Sequence, residues 1–219
     1  NPTLRDILGR LGEQVAVTGD VTLSSDLKQV AVTVNPLALL GGMVVAEAYM
    51  EGGELVDASA NITALPVAEM LALAGVDADA MPVTDGTLNL RAGAAQSDDG
   101  LALNARLGLI DAVYADPRLT ALLGAGPSVR VDAISLDAPL SLAALGDQLS
   151  LNATITGLTA DAQKLVYKLT IAEASSLAPN LTGAINATGE IDRKGDAVAL
   201  NTTVTPLQAA GYAVGTTAI

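Results

Sequence analysis

The sequence predicts an all-β fold in which about ten or more antiparallel strands are joined mostly by hairpins. First, apolar residues recur at every second position in one segment after another, as they do in strands that bury one face. Second, turn-forming clusters, such as SSD at 24–26 and SDDG at 97–100, separate these segments. Third, hydrophobic residues make up 50% of the 219 residues but aromatic residues only 2%, with no Phe and no Trp. Because rings are the large space-fillers of compact cores, this composition favours many thin apolar strips over one thick core.

The predicted strands follow one another along the chain. They cover 15–23, 30–34, 56–62, 86–92, 101–109, 149–157, 165–171, 180–191 and 198–204. The strictest alternation is that of NLTGAINATGEI (180–191), which we interpret as one curled strand with a polar outer side and an apolar inner side. Its glycines, Gly183 and Gly189, fall on the apolar side, where a missing side chain lets a sheet curl. The apolar phase slips between Ala133 and Ile134, which predicts a bulge or a bend.

Three short segments break the alternation and predict short helices at about 3–11, 66–74 and 117–123. The first, PTLRDILGRLG, spaces its apolar residues as one helix face. The second, PVAEMLALAG, begins with Pro and ends with Gly. The third, DPRLTALLG, has an Asp N-cap, a Pro at the first helical position and a Gly stop. We expect these helices to plug or bridge a sheet.

Charge and residue types exclude several classes of function. The net charge of −13 argues against nucleic acid and against electrostatic binding to a membrane surface. The chain has no Cys and no His, so thiolate chemistry, disulfides and the usual general base and zinc ligand are missing. The acid pairs Asp77/Asp79 and Asp98/Asp99 lack the spacing of a calcium loop. We therefore predict no catalytic residue, no metal site and no cofactor, and an enzyme is the least expected class.

Two further features concern membrane spans, secretory signals and glycosylation. The most apolar stretch, 36–46, is too short to cross a bilayer and contains two glycines, and no secretory signal pattern is visible. We expect a fragment of a larger protein. Asn-x-Thr triplets begin at Asn61, Asn152, Asn180, Asn186 and Asn201. We interpret them as polar strand faces rather than glycosylation sites.

Residues 177–204, LAPNLTGAINATGEIDRKGDAVALNTTV, resemble the repeats of TamB-type translocation and assembly module proteins, which belong to the AsmA-like superfamily. The matching run is an apolar stretch ending at Leu177-Ala178-Pro179, then Leu181, Gly183 and Gly189, then a second strand after a charged turn. DPRLTALLG (116–124), followed by alternating strands, looks like another recurring element of that family.

The resemblance implies a protein in the periplasm of a Gram-negative bacterium, with its parent anchored in the inner membrane. It implies an elongated antiparallel sheet curled into an open U, a β-taco, with a hydrophobic groove. It further implies transport of phospholipid between the inner and outer membranes, outer-membrane biogenesis, and a barrel partner bound through another part of the parent protein. No catalytic residues carry over. Residues 1–219 would then form a single continuous groove segment, internal to the parent protein, because neither the anchor nor the barrel-contacting C-terminal region of that family is identified in the sequence.

A groove that carries acyl chains needs a smooth apolar lining, which Leu, Val, Ile and Ala supply without the constrictions that rings would make. Burial of each CH₂ group is worth roughly 0.8 kcal/mol, so phospholipid acyl chains need no specific pocket. The residues that we expect to line the groove are Val15, Val17, Val21, Leu23, Val30, Val32, Val34, Leu88, Leu90, Leu101, Leu103, Leu107, Leu149, Leu151, Ile155, Leu165, Leu169, Ile171, Leu181, Ile185, Ile191, Val198, Leu200 and Val204.

Two other functions fit the same pattern. A chaperone or scaffold would pair its sheet edges with unfolded outer-membrane strands by β-augmentation, and exposed sheet edges would favour it. A structural β-repeat or adhesin segment would instead have a closed, packed core, and a dry interior would favour it.

Overall fold

A computed structural model describes residues 18–26, 28–77, 80–135, 137–157, 160, 162–194, 197–204, 207–209, 212–214 and 217–218, with side chains up to residue 204. The predicted helix at 3–11, and Val15 and Val17 of the predicted groove, lie outside the described residues.

The described chain is mostly strand. The strands are β1 Gly19–Leu23, β2 Gln29–Leu39, β3 Gly42–Glu51, β4 Glu54–Pro66, β5 Val83–Ser97, β6 Gly100–Tyr114, β7 Ser128–Ala133, β8 Leu140–Leu145, β9 Leu149–Thr156, β10 Ala162–Ile171, β11 Leu181–Thr182, β12 Ile185–Lys194, β13 Ala197–Val204, β14 Leu207–Ala209, β15 Tyr212–Val214 and β16 Thr217–Ala218. The helices are α1 Val67–Leu73 and α2 Pro117–Leu123, and a 3₁₀ turn spans Ala174–Ser176. The helices predicted at 66–74 and 117–123 are thus confirmed.

The strands form an antiparallel meander. A 13-stranded sheet has the order β1-β2-β3-β4-β5-β6-β7-β8-β9-β10-β12-β13-β16, and a 3-stranded sheet has the order β11-β14-β15. Almost every strand therefore pairs with its neighbour in sequence, as hairpin connections require. The larger sheet is open, because the described strands at its two ends are not paired with each other. The predicted all-β class, an antiparallel sheet with short helices, is confirmed.

NLTGAINATGEI is not one strand, contrary to the prediction. Its first part is β11, which pairs with β14 in the smaller sheet, and its second part is β12 of the larger sheet. The break falls at Gly183, whose φ of 85° lies in the left-handed region. The Gly183 carbonyl also accepts a hydrogen bond from Ala174 N at 2.8 Å, which ties this point to the 3₁₀ turn. The bend predicted after Ala133 is confirmed, since β7 ends at Ala133 and the chain bends at Ile134 and Ser135.

Bulges keep the apolar side chains of long strands on one face. In β4, the two residues between Ile62 and Leu65 lie opposite the single residue Asn89 of β5, so that one extra residue is absorbed at Ala64, with a φ of 52°. The Asn89 side chain accepts a hydrogen bond from Ala64 N at 2.8 Å, which satisfies the amide that the bulge displaces. A similar shift occurs in β2 between Val34 and Leu37. Without these bulges the later part of each strand would turn its apolar residues to the opposite face.

Contacts between Cα atoms divide the chain into two units. Unit 1 contains 1–96 and 107–115, and unit 2 contains 97–106 and 116–219. Each unit is described by itself below. The prediction of a single continuous groove segment over 1–219 stays a prediction.

The sequence of helix α2, in unit 2, contains residues that favour the beginning and the end of a helix. Asp116 is the N-cap, and its Oδ1 accepts a hydrogen bond from Arg118 N at 2.9 Å. Pro117 occupies the first turn, and Gly124, with a φ of 67°, ends the helix. Backbone bonds from the β8–β9 turn satisfy the last carbonyls, since Gln148 N donates to Leu122 O at 2.9 Å.

Candidate functional site

One face of unit 1 is apolar from β1 to β5. In antiparallel pairs, side chains of directly opposed residues lie on the same side of the sheet. Val21 is opposite Val32, and Leu23 is opposite Val30. The same face continues through β3 and β4 to β5 by the pairs Val32–Ala48, Ala48–Ala58, Val44–Ile62, Ile62–Leu90 and Leu65–Leu88.

Among the described residues of unit 1, this face is covered at one end and exposed at the other. Leu65, Val67 and Leu88 form a buried cluster, and the α1 residues Met70 and Leu71 pack against it. Leu39, Ile62, Val83, Leu107 and Leu109 also pack there. At the opposite end Val21 is 64% exposed and Leu23 is 54% exposed. The helix therefore closes only one end of the apolar face.

Unit 2 has an apolar face of the same kind. Three rows of directly opposed residues cross the strands from β9 to β13. They are Leu149–Ile171–Ile185, Leu151–Leu169–Ala187–Val204 and Ile155–Leu165–Ile191–Leu200. On β8, Leu140 is opposite Ile155, which extends the third row. Val131 of β7 is opposite Leu142 of β8, which extends the face by one more strand. The alternating residues therefore form a continuous apolar surface across six strands.

The unit 2 face is likewise closed at one end. Ile171 is buried, and Ala174 of the 3₁₀ turn beside it is 0% exposed. The 3₁₀ turn contacts α2, whose Leu122 is buried. At the other end, Leu200 is 53% exposed and Val198 is 65% exposed. Among the residues with described side chains, no large side chain is fully buried.

Most predicted groove residues therefore come together on one of these two faces. Val21, Leu23, Val30, Val32, Val34, Leu88 and Leu90 share the unit 1 face by register, and Leu107 packs against its buried cluster. The unit 2 face holds Leu149, Leu151, Ile155, Leu165, Leu169, Ile171, Ile185, Ile191, Val198, Leu200 and Val204. Leu101 and Leu103 are half-buried in β6. Leu181 lies in β11 of the smaller sheet and is not brought to the unit 2 face.

Sequence reasoning missed a polar feature within the unit 2 face. Tyr167 is opposite Gly189, which is opposite Thr202. The Tyr167 and Thr202 hydroxyl oxygens are 2.6 Å apart, so one donates a hydrogen bond to the other across the glycine. A Cβ atom on Gly189 would lie 2.7 Å from the Tyr167 hydroxyl oxygen, so the glycine makes room for the ring. The signal in the sequence is Thr202, a polar residue at an apolar position between Leu200 and Val204.

The opposite face of unit 2 is polar and concave. A cavity of about 660 Å³ lies on it, with Asn152, Thr154, Lys168, Thr188 and Asn201 among its lining residues. All of these residues except Lys168 belong to three of the Asn-x-Thr triplets, which accordingly mark a polar strand face as predicted. This cavity is therefore on the side of the sheet away from the predicted groove residues.

Ion pairs on this polar face lie in solvent. Lys164 Nζ donates to Glu190 Oε2 at 2.7 Å, and this hydrogen bond raises the pKa of Lys164. Arg130 is hydrogen-bonded to Asp132, which raises the pKa of the guanidinium group. Because all four side chains are exposed, these pairs stabilise the fold only slightly.

The described residues contain no group of three or more acidic side chains placed to hold a metal ion. The helices in that part of the chain lack the length and the apolar character that a span of the bilayer requires.

In comparisons with known proteins, no family model, no curated protein and no solved structure matches this chain. The resemblance of residues 177–204 to TamB-type repeats therefore stays a prediction. The function must be argued from the two apolar faces.

Proposed function

We propose that this chain is a lipid-shielding segment of a TamB-like protein in the periplasm of a Gram-negative bacterium. Its apolar sheet faces cover the acyl chains of phospholipids on their way between the inner and outer membranes. The parent protein is anchored in the inner membrane and meets an outer-membrane barrel partner through another of its parts. The chain performs no catalysis and uses no cofactor.

The observation that carries this proposal is an apolar face left uncovered at one end in each unit. Leu23 in unit 1 and Leu200 in unit 2 are more than half exposed, although both lie on faces whose other positions are mostly Leu, Val, Ile and Ala. An uncovered apolar face of this kind costs free energy in water and gains it on contact with hydrocarbon. Each CH₂ group that it covers contributes roughly 0.8 kcal/mol.

A structural segment with a packed core receives less support. Such a core needs side chains removed from water on all sides. Among the residues with described side chains, the buried hydrophobic ones are few and cluster near the short helices, as Leu65, Leu88 and Ile171 do.

One observation favours a chaperone or scaffold as the second candidate. The larger sheet is open, and β1 stands at one end of its strand order with all five residues exposed. An open edge offers unpaired backbone groups to an extended peptide. A chaperone would leave protein, rather than phospholipid, in contact with the chain.

Paired lysine substitutions test the lipid-shielding function. Leu200 and Asn201 are adjacent in β13, and both are exposed, but their side chains lie on opposite faces. Neither substitution disturbs a core, so Leu200→Lys and Asn201→Lys should fold alike. The readout is the amount of fluorescent phosphatidylcholine that the purified chain extracts from phosphatidylcholine vesicles, which are neutral and do not repel a chain of net charge −13.

We expect Leu200→Lys to extract about tenfold less lipid, because an ammonium group against hydrocarbon is costly even when the long side chain reaches toward water. Asn201→Lys should match the unmodified chain. Equal extraction by the two variants, or none by the unmodified chain, would remove the basis of the proposal.

A further inference from the structure

The hydroxyl groups of Tyr167 and Thr202 are a polar pair within an otherwise apolar surface. Above and below them along the strands lie the apolar rows that contain Leu165 and Leu169. In the row of Tyr167 itself, the neighbours are Ala153 and Gly189. The side chain spans the gap left by Gly189 and reaches Thr202 on the second strand over. The ring is thus laid along the sheet, with its hydroxyl group fixed at one point of the face.

The two hydroxyl groups can donate one more hydrogen bond than the one they form with each other. Two hydroxyl groups have two O–H donors between them, and the bond of 2.6 Å between their oxygens uses one. The remaining O–H needs an acceptor. Tyr167 and Thr202 are both half-buried, so water reaches them while the face is uncovered. Once hydrocarbon covers the face, an O–H group without an acceptor destabilises the complex.

We propose that the Tyr167–Thr202 pair is a polar station that donates a hydrogen bond to the carbonyl oxygen of an acyl ester in a lipid lying on the unit 2 face. This inference rests on the proposed lipid-shielding function and deepens it. The station gives an otherwise smooth face one position that recognises where the hydrocarbon chain ends and the ester begins. It makes Tyr167 and Thr202 specificity-determining residues, selecting acyl-ester lipids over hydrocarbon chains that lack a carbonyl group.

The choice of residue types fits this role. The chain contains 4 Tyr and no Phe, and a Phe at 167 would cover Gly189 equally well without a hydroxyl group. Val or Leu at 202 would continue the apolar pattern of β13. The hydroxyl groups are therefore not needed to cover the glycine.

The test compares two phosphatidylcholines of equal chain length, one ester-linked and one ether-linked, binding to the purified chain. The ether lipid lacks the carbonyl oxygens but keeps the headgroup and hydrocarbon. The variant is the double substitution Tyr167→Phe/Thr202→Val, because either hydroxyl alone would still offer one donor. Replacing both partners of a hydrogen bond by apolar groups of the same shape is close to neutral for stability. The matched control is Tyr49→Phe/Thr188→Val: by register Tyr49 lies on the polar face of unit 1 and Thr188 on that of unit 2.

We expect the unmodified chain to bind the ester lipid about threefold to tenfold more tightly than the ether lipid. The double variant should bind both lipids equally, and the control should keep the preference. Equal binding of the two lipids by the unmodified chain, or a preference that survives in the double variant, would overturn the polar station while leaving lipid shielding intact. Failure to bind either lipid would overturn lipid shielding, and the station with it.

Discussion

Ala64 shows how a single residue maintains the apolar face of unit 1. Its φ of 52° is a left-handed backbone conformation, which a Cβ atom makes unfavourable by about 1 kcal/mol or more. The conformation persists because it absorbs the extra residue of the β4 bulge, and it returns Leu65 to the face of Ile62. The side chain of Ala64 is exposed, so its methyl group contributes no burial.

Substitution by glycine should therefore have opposite effects at two alanines of the same strand. We expect Ala64→Gly to raise the free energy of unfolding by about 0.5–1 kcal/mol, because glycine adopts positive φ without strain. We expect Ala60→Gly to lower it by about the same amount, because Ala60 lies in a regular part of β4. Urea denaturation of both variants measures the difference. Destabilisation of similar size at both positions would mean that the bulge is absent in solution.

Single residues also mark where the sequence is least informative. Thr202 was a visible exception to the apolar pattern, but its partner, Tyr167, lies on a different strand 35 residues away. Period-two alternation assigns residues to faces without saying which residues of different strands are opposed. The hydroxyl pair could therefore be found only once the register was known.

At the scale of elements, the short helices were the most predictable parts. Asp116, Pro117 and Gly124 each act locally on the backbone of α2, so their effect does not depend on the rest of the fold. The helix matters because its last turn holds the β8–β9 connection, through the bond from Gln148 N to Leu122 O. Loss of the cap should loosen the closed end of the unit 2 face.

Removal of the N-cap side chain tests this account of α2. We expect Asp116→Ala to destabilise the protein by about 1 kcal/mol, because the amide of Arg118 loses its acceptor. Asp116→Asn keeps an acceptor oxygen at the same place and should stay close to the unmodified protein. The two variants are compared by hydrogen exchange at residues 117–123 and by thermal unfolding. If both variants behaved alike, the side-chain cap would have no role in stabilising the helix.

The positions of the strands were predicted less completely than those of the described helices. Alternation located most strands of the larger sheet, but it joined β11 and β12 into one, because Leu181 and Ile185 are in the same phase. At the break, the Gly183 carbonyl accepts a hydrogen bond from Ala174 N, which belongs to another segment. A glycine on the apolar side of a strand thus has two physical outcomes. Gly183 ends pairing, whereas Gly189 makes room for a neighbouring ring within a continuous strand.

At the scale of the whole molecule, composition and the alternation of apolar residues together predicted the all-β fold class. Strict alternation without large rings leads to apolar faces that are half-buried, and each unit has such a face closed at one end by short helical segments. The chain contains no Phe or Trp that could fill the space above these faces. The cavity on the polar face of unit 2 was not predicted, because the sequence analysis placed the apolar side on the inside of the curl, whereas alternation alone carries no information on curvature.

The central claim is that the apolar faces contact phospholipid acyl chains. Site-specific photo-crosslinking tests it most directly, with a photoreactive residue at Leu151 in one sample and at its neighbour Asn152 in another. Leu151 is half-buried on the apolar face of unit 2, and Asn152 is exposed on the polar face. The chain is irradiated in the periplasm of living bacteria, and the adducts are identified by mass spectrometry. We predict phospholipid adducts at Leu151 and none at Asn152. Protein adducts alone at Leu151, or phospholipid adducts of equal yield at both positions, would contradict the claim.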